Sequence, residues 1–352
     1  MSGSAYPIIF AICGWSGAGK TTLLEQLIPR LQQKGLQVSI IKHDCHRLEL
    51  DYPGKNTHRL WSSGARNLLA HDREQIFIRR HAADFRNEEL YHAIAESSDI
   101  ILVEGHKQSA LPKLWLENPD NTEIPSEAKN ILDVLPWNFE HRLQRAEQII
   151  LEWYTRQFAN RGMYAGILVG GKSTRMGQDK AVLPWKEQTL LDSTITTIRS
   201  VISQYVLLGN QTYPSTYHSV QLPDIPYCSG PLAGILSAFR WQPQTAWLFV
   251  ACDMPLLNPE TIHWLIQQRT PGYWAFVPKT IDQPHPLCAI YEPQFKKILE
   301  QAQNQKQFSL QKLLSHPKVK QLPVPEAMLP HFSNCNTHEE WLRLCVNTRD
   351  EG

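Results

Sequence analysis

The stretch IIFAICGWSGAGKTTLLEQLI, residues 8–28, decides the fold of the first part of the chain. Ile8 to Cys13 is a continuous apolar run rich in β-branched residues, the pattern of a strand buried on both faces of a parallel sheet. Beyond a glycine-rich turn, Leu23, Leu24, Leu27, Ile28 and Leu31 recur at helical spacing. Between them lies Gly14-Trp15-Ser16-Gly17-Ala18-Gly19-Lys20-Thr21, which fits G-x-x-x-x-G-K-[ST] in the strand–turn–helix setting that a P-loop requires. Its glycines let backbone N–H groups point into one concavity, and the helix N-terminus behind them favours anionic oxygens. Gly14, Ser16, Gly17, Ala18, Gly19, Lys20, Thr21 and Thr22 are the expected nucleotide ligands. Lys20 reaches the β/γ-phosphates and the Thr21 hydroxyl ligates Mg²⁺. Pro29 predicts a kink or an end to the helix, since an interior proline costs about 3 kcal/mol.

The same unit recurs outward from this stretch. LQVSIIKHD (36–44), DIILVEGHK (99–107), YAGILVGGK (164–172), QYVLLGN (204–210) and TAWLFVACD (245–253) are apolar runs that end in turns and lead into helical patterns. Such alternation predicts β–α units around mainly parallel sheets. Leu143, Ala146, Ile149, Ile150, Trp153 and Tyr154 give a last helix for the first unit, and Asn160-Arg161-Gly162 breaks the chain before a new strand. With 352 residues the chain is expected to form two domains, 1–160 and 161–352. The expected class is α/β: a P-loop NTPase-like parallel sheet, then a Rossmann-like nucleotidyltransferase domain.

Composition excludes several functions. A 42% hydrophobic and 20% charged chain is globular and not disordered. Thirty-five basic against 34 acidic residues leave a net charge of +1, too small a field to draw in nucleic acid or an anionic membrane, so anion recognition has to be local. The longest apolar runs fall far short of the ~18 residues that span a bilayer, and no export signal is visible, so a cytoplasmic protein is expected. Seven scattered cysteines without a C-x-x-C pair fit reduced thiols.

Glu104 ends the run Ile100 to Val103 on the same sheet edge as the P-loop, where its carboxylate would hold Mg²⁺ through water; a strand-end acid facing solvent is the alternative. Asp99 stands at the opposite end of that strand and reads as a turn residue. His43-Asp44-Cys45-His46 contains metal-ligating types, but adjacent residues in a loop diverge and no second pair stands at zinc spacing, so a polar loop beside the nucleotide is expected. In this order, GWSGAGKTTL, IIKHDCH, DYPGKNTHRLWSSGA and ILVEGHK resemble the MobB family, the GTP-binding adaptors of molybdenum cofactor biosynthesis. The resemblance implies GTP as the ligand, at best weak GTPase activity, and homodimerisation through this domain.

The second domain opens on LVGGKSTRMGQDK, residues 168–180, directly after an apolar strand. It is not a P-loop. Gly170, Gly171 and Gly177 let the backbone approach a triphosphate, and Lys172, Arg175 and Lys180 surround it with positive charge. Asp253 follows the apolar run Phe249 to Cys252 and is the expected Mg²⁺ ligand. Asp224 precedes the Gly230–Gly234 loop, either at the same site or as an N-cap or turn residue.

LVGGKSTRMGQDK, CSGPLAGI, Cys252-Asp253-Met254-Pro255, Pro284-His285-Pro286 and Asn334-Cys335-Asn336-Thr337 resemble the MobA family, the molybdenum cofactor guanylyltransferases. The resemblance implies transfer of GMP from GTP to molybdopterin, with Mg²⁺, to form molybdopterin guanine dinucleotide and release pyrophosphate. It implies GTP contacts at Leu168, Val169, Gly170, Gly171, Lys172, Lys180, Asn210, Asp224 and Asp253, with Lys180, Arg175 and Asp253 catalytic. His285, Asn334 and Asn336 fall in the pterin-substrate region. Val169 stands where Ala is commoner, and Gly209-Asn210 is offset by one residue from the family's asparagine. Implied partners are Mo-molybdopterin, molybdenum-insertion proteins and apo-molybdoenzymes. Cytidylyl transfer, sugar-phosphate nucleotidyl transfer and a non-catalytic, nucleotide-gated delivery scaffold remain as alternatives.

Overall fold

The computed structural model describes residues 6–43, 52–80, 87–169, 180–214, 217, 219–335 and 339–341. Two compact units divide the chain: Pro7–Gln33 with Gln37–Glu152, and Trp153–Gly352 with Lys34–Leu36.

The first unit contains β1 (Ile9–Gly14), α1 (Lys20–Gln33), β2 (Val38–Lys42), α2 (Asn56–Ser62), β3 (Asn67–His71), β4 (Ile76–Arg80), α3 (Asn87–Ala95), β5 (Ile100–Glu104), β6 (Lys113–Leu116) and β7 (Ile131–Leu135), and α4 (Arg142–Ala159) begins in it. Its main sheet has the order β2-β5-β1-β6-β7 and every pairing is parallel. Register aligns Ile12 and Lys42 with Glu104 on the two sides of β5, so the P-loop and Glu104 leave the same sheet edge. Phe10, Ile12, Leu102 and Trp115 are fully buried, as two-faced strands require. β3 and β4 form a separate antiparallel hairpin.

α1 continues through Pro29 to Gln33, so the helix does not stop there. Pro29 is on the exposed side of the helix, where the carbonyl it cannot serve can meet water. Leu23, Leu24, Leu27 and Leu31 are buried on the other side. At roughly 2 kcal/mol for each buried leucine, that packing outweighs one lost backbone hydrogen bond.

The second unit contains β8 (Met163–Leu168), β9 (Pro184–Trp185), β10 (Gln188–Thr189), α5 (Leu190–Arg199), β11 (Tyr205–Leu208), β12 (Val220–Leu222), α6 (Pro231–Trp241), β13 (Ala246–Ala251), α7 (Pro259–Gln267), β14 (Ala275–Lys279), β15 (Cys288–Tyr291), α8 (Phe295–Asn304) and β16 (Val319–Pro323). Its sheet runs β12-β11-β8-β13-β15-β14-β16, with β15 antiparallel to both neighbours and the other pairings parallel. Gly166 sits in the middle of β8, where a Cβ would come within 2.7 Å of Phe249 and Leu208 side-chain atoms, so only glycine fits under that packing.

Far from the strand ends that carry the site, Glu292 takes two guanidinium groups at once: Arg161 at 2.7 Å and Arg269 at 2.8 Å, all three side chains buried. The Phe158 ring faces both cations. Among the described residues no helix is long and apolar enough to cross a membrane.

Candidate functional site

In the first unit the P-loop backbone is set by glycines. Gly14 has φ 148°, and a Cβ there would lie 2.5 Å from the Leu116 carbonyl oxygen, so β6 closes off any side chain. Gly17 and Gly19 also take positive φ, of 76° and 82°. Lys20 Nζ donates to the carbonyls of Gly14 at 3.0 Å and Trp15 at 2.8 Å, which holds the ammonium across the loop. Burial pushes its pKa down, while the Glu104 charge opposes that shift. Thr21 Oγ1 donates to Glu104 Oε1 at 2.7 Å. The two oxygen groups singled out in the sequence therefore come together.

Two residues that brace this loop carry no local sequence mark. The Asn118 amide donates to the Ser16 carbonyl, and Arg142 donates to the carbonyls of Ala18, Glu117 and Leu135. Both lie about a hundred residues or more beyond the loop they support, so only the folded sheet reveals them. His43 leaves β2 with its ring stacked on that of His106, centroids 4.0 Å apart. Asp44, Cys45 and His46 lie outside the described residues. Asp99 is buried and accepts from the Gln37 N–H at 2.7 Å, a role at the strand's start and away from the P-loop.

In the second unit, Leu168 and Val169 end β8 beside the ends of β11 and β13, since Leu168 pairs with Leu208 and with Ala251. Gly170, Gly171, Lys172 and Arg175 lie outside the described residues. Lys180 begins a 3-10 turn and reaches Asp253, with Nζ 2.9 Å from Oδ2. Asp253 follows β13, as the apolar run predicted.

Asn210 and Asp224 meet as a reciprocal pair: the Asn210 amide donates to Asp224 Oδ2 at 3.2 Å, and the Asp224 N–H donates to Asn210 Oδ1 at 3.0 Å. β11 and β12 end together, Leu208 opposite Leu222, which brings these residues side by side despite the offset in sequence. Burial raises the Asp224 carboxyl pKa. Gly234, in the first turns of α6, has no Cβ to meet Leu168 Cδ2 at 3.2 Å or Asp224 Oδ1 at 3.4 Å, so the helix seats closely on this edge. The sequence motif contained Gly234, but its role as a spacer is visible only in the fold.

Residues expected near a second substrate converge on the same edge. The Ala251 N–H donates to the Leu287 carbonyl at 2.9 Å, which brings the Pro284-His285-Pro286 turn beside the end of β13. His285 is buried, its Nε2 lies 3.2 Å from Thr280 Oγ1, and burial lowers its pKa, which favours the neutral ring. The Cys335 N–H donates to the Asp253 carbonyl at 2.8 Å, so the Asn334-Cys335 segment is fixed against the same aspartate. Asn336 is outside the described residues.

The donor chemistry suits one kind of metal. Among the described residues no three His, Cys, Asp or Glu side chains gather. Thr21 with Glu104, and Asp253 alone, are hard oxygen donors of the sort Mg²⁺ takes one or two at a time, its remaining positions going to phosphate and water.

Two family models match separate stretches of the chain. The family described as MobA-like NTP transferase domain matches residues 165–321, and the family described as molybdopterin guanine dinucleotide synthesis protein B matches residues 9–137. A probable molybdenum cofactor guanylyltransferase of Bacillus mycoides (strain KBAB4) is 30% identical over 193 residues, 53% of this chain and 96% of that protein. Its counterpart in Bacillus anthracis (strain CDC 684 / NRRL 3495) is 32% identical over 190 residues, covering 51% and 94%. Among solved structures, molybdopterin-guanine dinucleotide biosynthesis protein A of Archaeoglobus fulgidus is similar at 26% identity and a TM-score of 0.48, over 53% of this chain and 100% of that one.

Proposed function

The chain belongs to the molybdenum cofactor guanylyltransferase family, a nucleotidyltransferase of molybdenum cofactor biosynthesis with a fused MobB-type region, and from that premise we propose that it transfers GMP from GTP to molybdopterin. The terminal phosphate oxygen of molybdopterin attacks the α-phosphorus of GTP. The bond from that phosphorus to the β-phosphate oxygen breaks, and pyrophosphate leaves. The nucleophile already carries negative charge near neutral pH, so no strong protein base is needed, and catalysis rests on positioning and charge stabilisation.

The observation that carries this function is the pairing of Lys180 with Asp253 at 2.9 Å, a cation and a metal-type carboxylate on one strand edge. Lys180, with Arg175 and Lys172, offsets charge on the triphosphate, and the backbone from Leu168 to Gly171 lies along it. Asp253 would hold Mg²⁺, which would supply Lewis-acid polarisation of the phosphoryl group. The Asn210–Asp224 pair supplies a carboxylate and an amide for the nucleoside of GTP, and the buried carboxylate suits the N–H groups on the guanine edge. His285, Asn334 and Asn336 take the pterin.

The first unit binds GTP at its P-loop, with Lys20 on the phosphates and Thr21 and Glu104 as the Mg²⁺ side. It hydrolyses GTP slowly at best, self-associates, and hands product to apo-molybdoenzymes alongside molybdenum-insertion proteins in the cytoplasm. The functional domains are taken as 1–160 and 161–352.

Incubating the chain with molybdopterin, Mg²⁺ and each of GTP, CTP and ATP, then weighing the products, tests the reaction. The guanine dinucleotide is expected. A cytosine dinucleotide as the main product would replace the substrate, and tight GTP binding with no dinucleotide would favour a delivery scaffold. The names of the matching relatives favour guanylyl transfer over both alternatives.

A further inference from the structure

The site just proposed has groups for the phosphates and for one edge of a base, but none yet for the face of the base. We propose that Tyr227 supplies it, its ring stacking on the guanine of GTP and so favouring a purine at this site. This rests on the function proposed above.

Tyr227 lies in the short loop between Asp224 and Gly230, the residue that precedes α6. The loop is anchored at both ends and at Ile225 and Cys228. Its start is fixed by the Asp224–Asn210 hydrogen bonds. Ile225 and Cys228, on either side of Tyr227, pack against the buried core around Leu168, Leu208 and Leu232. Its end is held by α6, whose Gly234 fits against Leu168 and Asp224. Both ends of the loop therefore sit at the strand edge where β8 ends at Leu168.

Against that fixed frame Tyr227 is exceptional. It is 96% exposed, and among the described residues its ring and hydroxyl make no hydrogen bond or ring contact. Its φ is 62°, a left-handed conformation that is unfavourable for a bulky side chain. A firmly anchored loop thus holds a strained aromatic residue out in water, three residues from the carboxylate assigned to the nucleoside. Strain of this kind persists where surrounding structure over-determines it, and ligand clamps are one such place. Between Pro226 and Cys228 in the chain, the ring is an exposed aromatic plane. Flat heteroaromatic rings stack on such planes, and a fused bicycle overlaps the ring more than a pyrimidine does. Molybdopterin offers a second fused bicycle; the guanine contact proposed for Asp224, three residues before Tyr227, is what favours guanine here.

Equilibrium binding of GTP, CTP and inorganic tripolyphosphate, each with Mg²⁺, is measured on the full chain in a Lys20→Ala background, so that binding is read at the second site. Tyr227 is compared with Tyr227→Phe, Tyr227→Ala and Tyr227→Gly. Glycine accepts the left-handed backbone, so that variant keeps the loop's path. The expected result is a roughly tenfold weaker GTP affinity in the Ala and Gly variants, near-normal affinity in Phe, and unchanged tripolyphosphate affinity in all. Unchanged GTP affinity in both Ala and Gly variants overturns the stack, as does an equal loss for tripolyphosphate. A rise in the KM for molybdopterin with GTP affinity intact assigns the ring to the pterin and overturns the guanine assignment. Transfer is followed separately on the same proteins: Tyr227-dependent GTP binding without any transfer sinks the reaction and leaves the stack standing.

Discussion

Lys180 Nζ stands 2.9 Å from Asp253 Oδ2, joining the 3-10 turn that begins at Lys180 to the residues that follow β13, with side chains that retain only 20% and 18% exposure. Each group is accessible enough to meet a triphosphate and buried enough for its charge to act at low dielectric. Replacing either with Ala is expected to lower kcat by about 10²- to 10³-fold with the fold intact. The double variant should lose far less than the product of the two, because the residues act as one unit. Steady-state transfer kinetics with circular dichroism check this, and full multiplicativity would separate their roles.

Lys20→Ala should abolish phosphate binding at the P-loop and leave transfer by the second unit within about twofold. Gly14→Ala should do the same by a different route, since the added Cβ meets the Leu116 carbonyl at 2.5 Å and the loop has to shift. Calorimetric titration with GTP would then report one site in place of two. Two undiminished sites in the Lys20 variant would remove the P-loop assignment.

Asp224 gives a pH-dependent prediction. Burial raises its folded-state pKa, so the folded protein takes up this proton more readily than the unfolded chain does. The group's stabilising contribution is present at low pH and is lost as pH rises through the folded pKa. Asp224→Asn should therefore melt no lower than wild type at pH 7, with the difference closing as pH falls into the carboxylate range, while GTP affinity drops about tenfold. A variant that melts distinctly lower at pH 7 would mean that the carboxylate stabilises the fold.

The Arg161–Glu292–Arg269 cluster should matter to stability alone. Glu292→Ala leaves two buried guanidinium groups without their carboxylate, a loss of about 3–5 kcal/mol. Denaturation of the second unit, followed by tryptophan fluorescence, measures it. At a temperature where the variant is still folded, KM for GTP should be unchanged.

What the sequence revealed was local. The P-loop, the strand ends that carry Glu104 and Asp253, and the alternation of strands and helices are written in contiguous residues, and the sheets carry them as read. Asn210 looked one residue out of place, and only the common end of β11 and β12 shows that it faces Asp224. Asn118 and Arg142 brace the P-loop from across the sheet, a relation that no spacing encodes. Pro29 does not end α1, because helix propensity is a local quantity, whereas four buried leucines are a tertiary one. The left-handed backbone of Tyr227 was hidden because nothing in the identity of a tyrosine announces a positive φ.

The most direct test follows the α-phosphate. The chain is given GTP labelled at that position, with molybdopterin and Mg²⁺, alongside its Asp253→Ala and Lys20→Ala variants. Label should appear in molybdopterin guanine dinucleotide, with pyrophosphate released, in wild type and Lys20→Ala, and be nearly absent in Asp253→Ala. Label transfer at the wild-type rate by Asp253→Ala, or transfer that disappears with Lys20, would place the chemistry somewhere other than the edge where Lys180 meets Asp253.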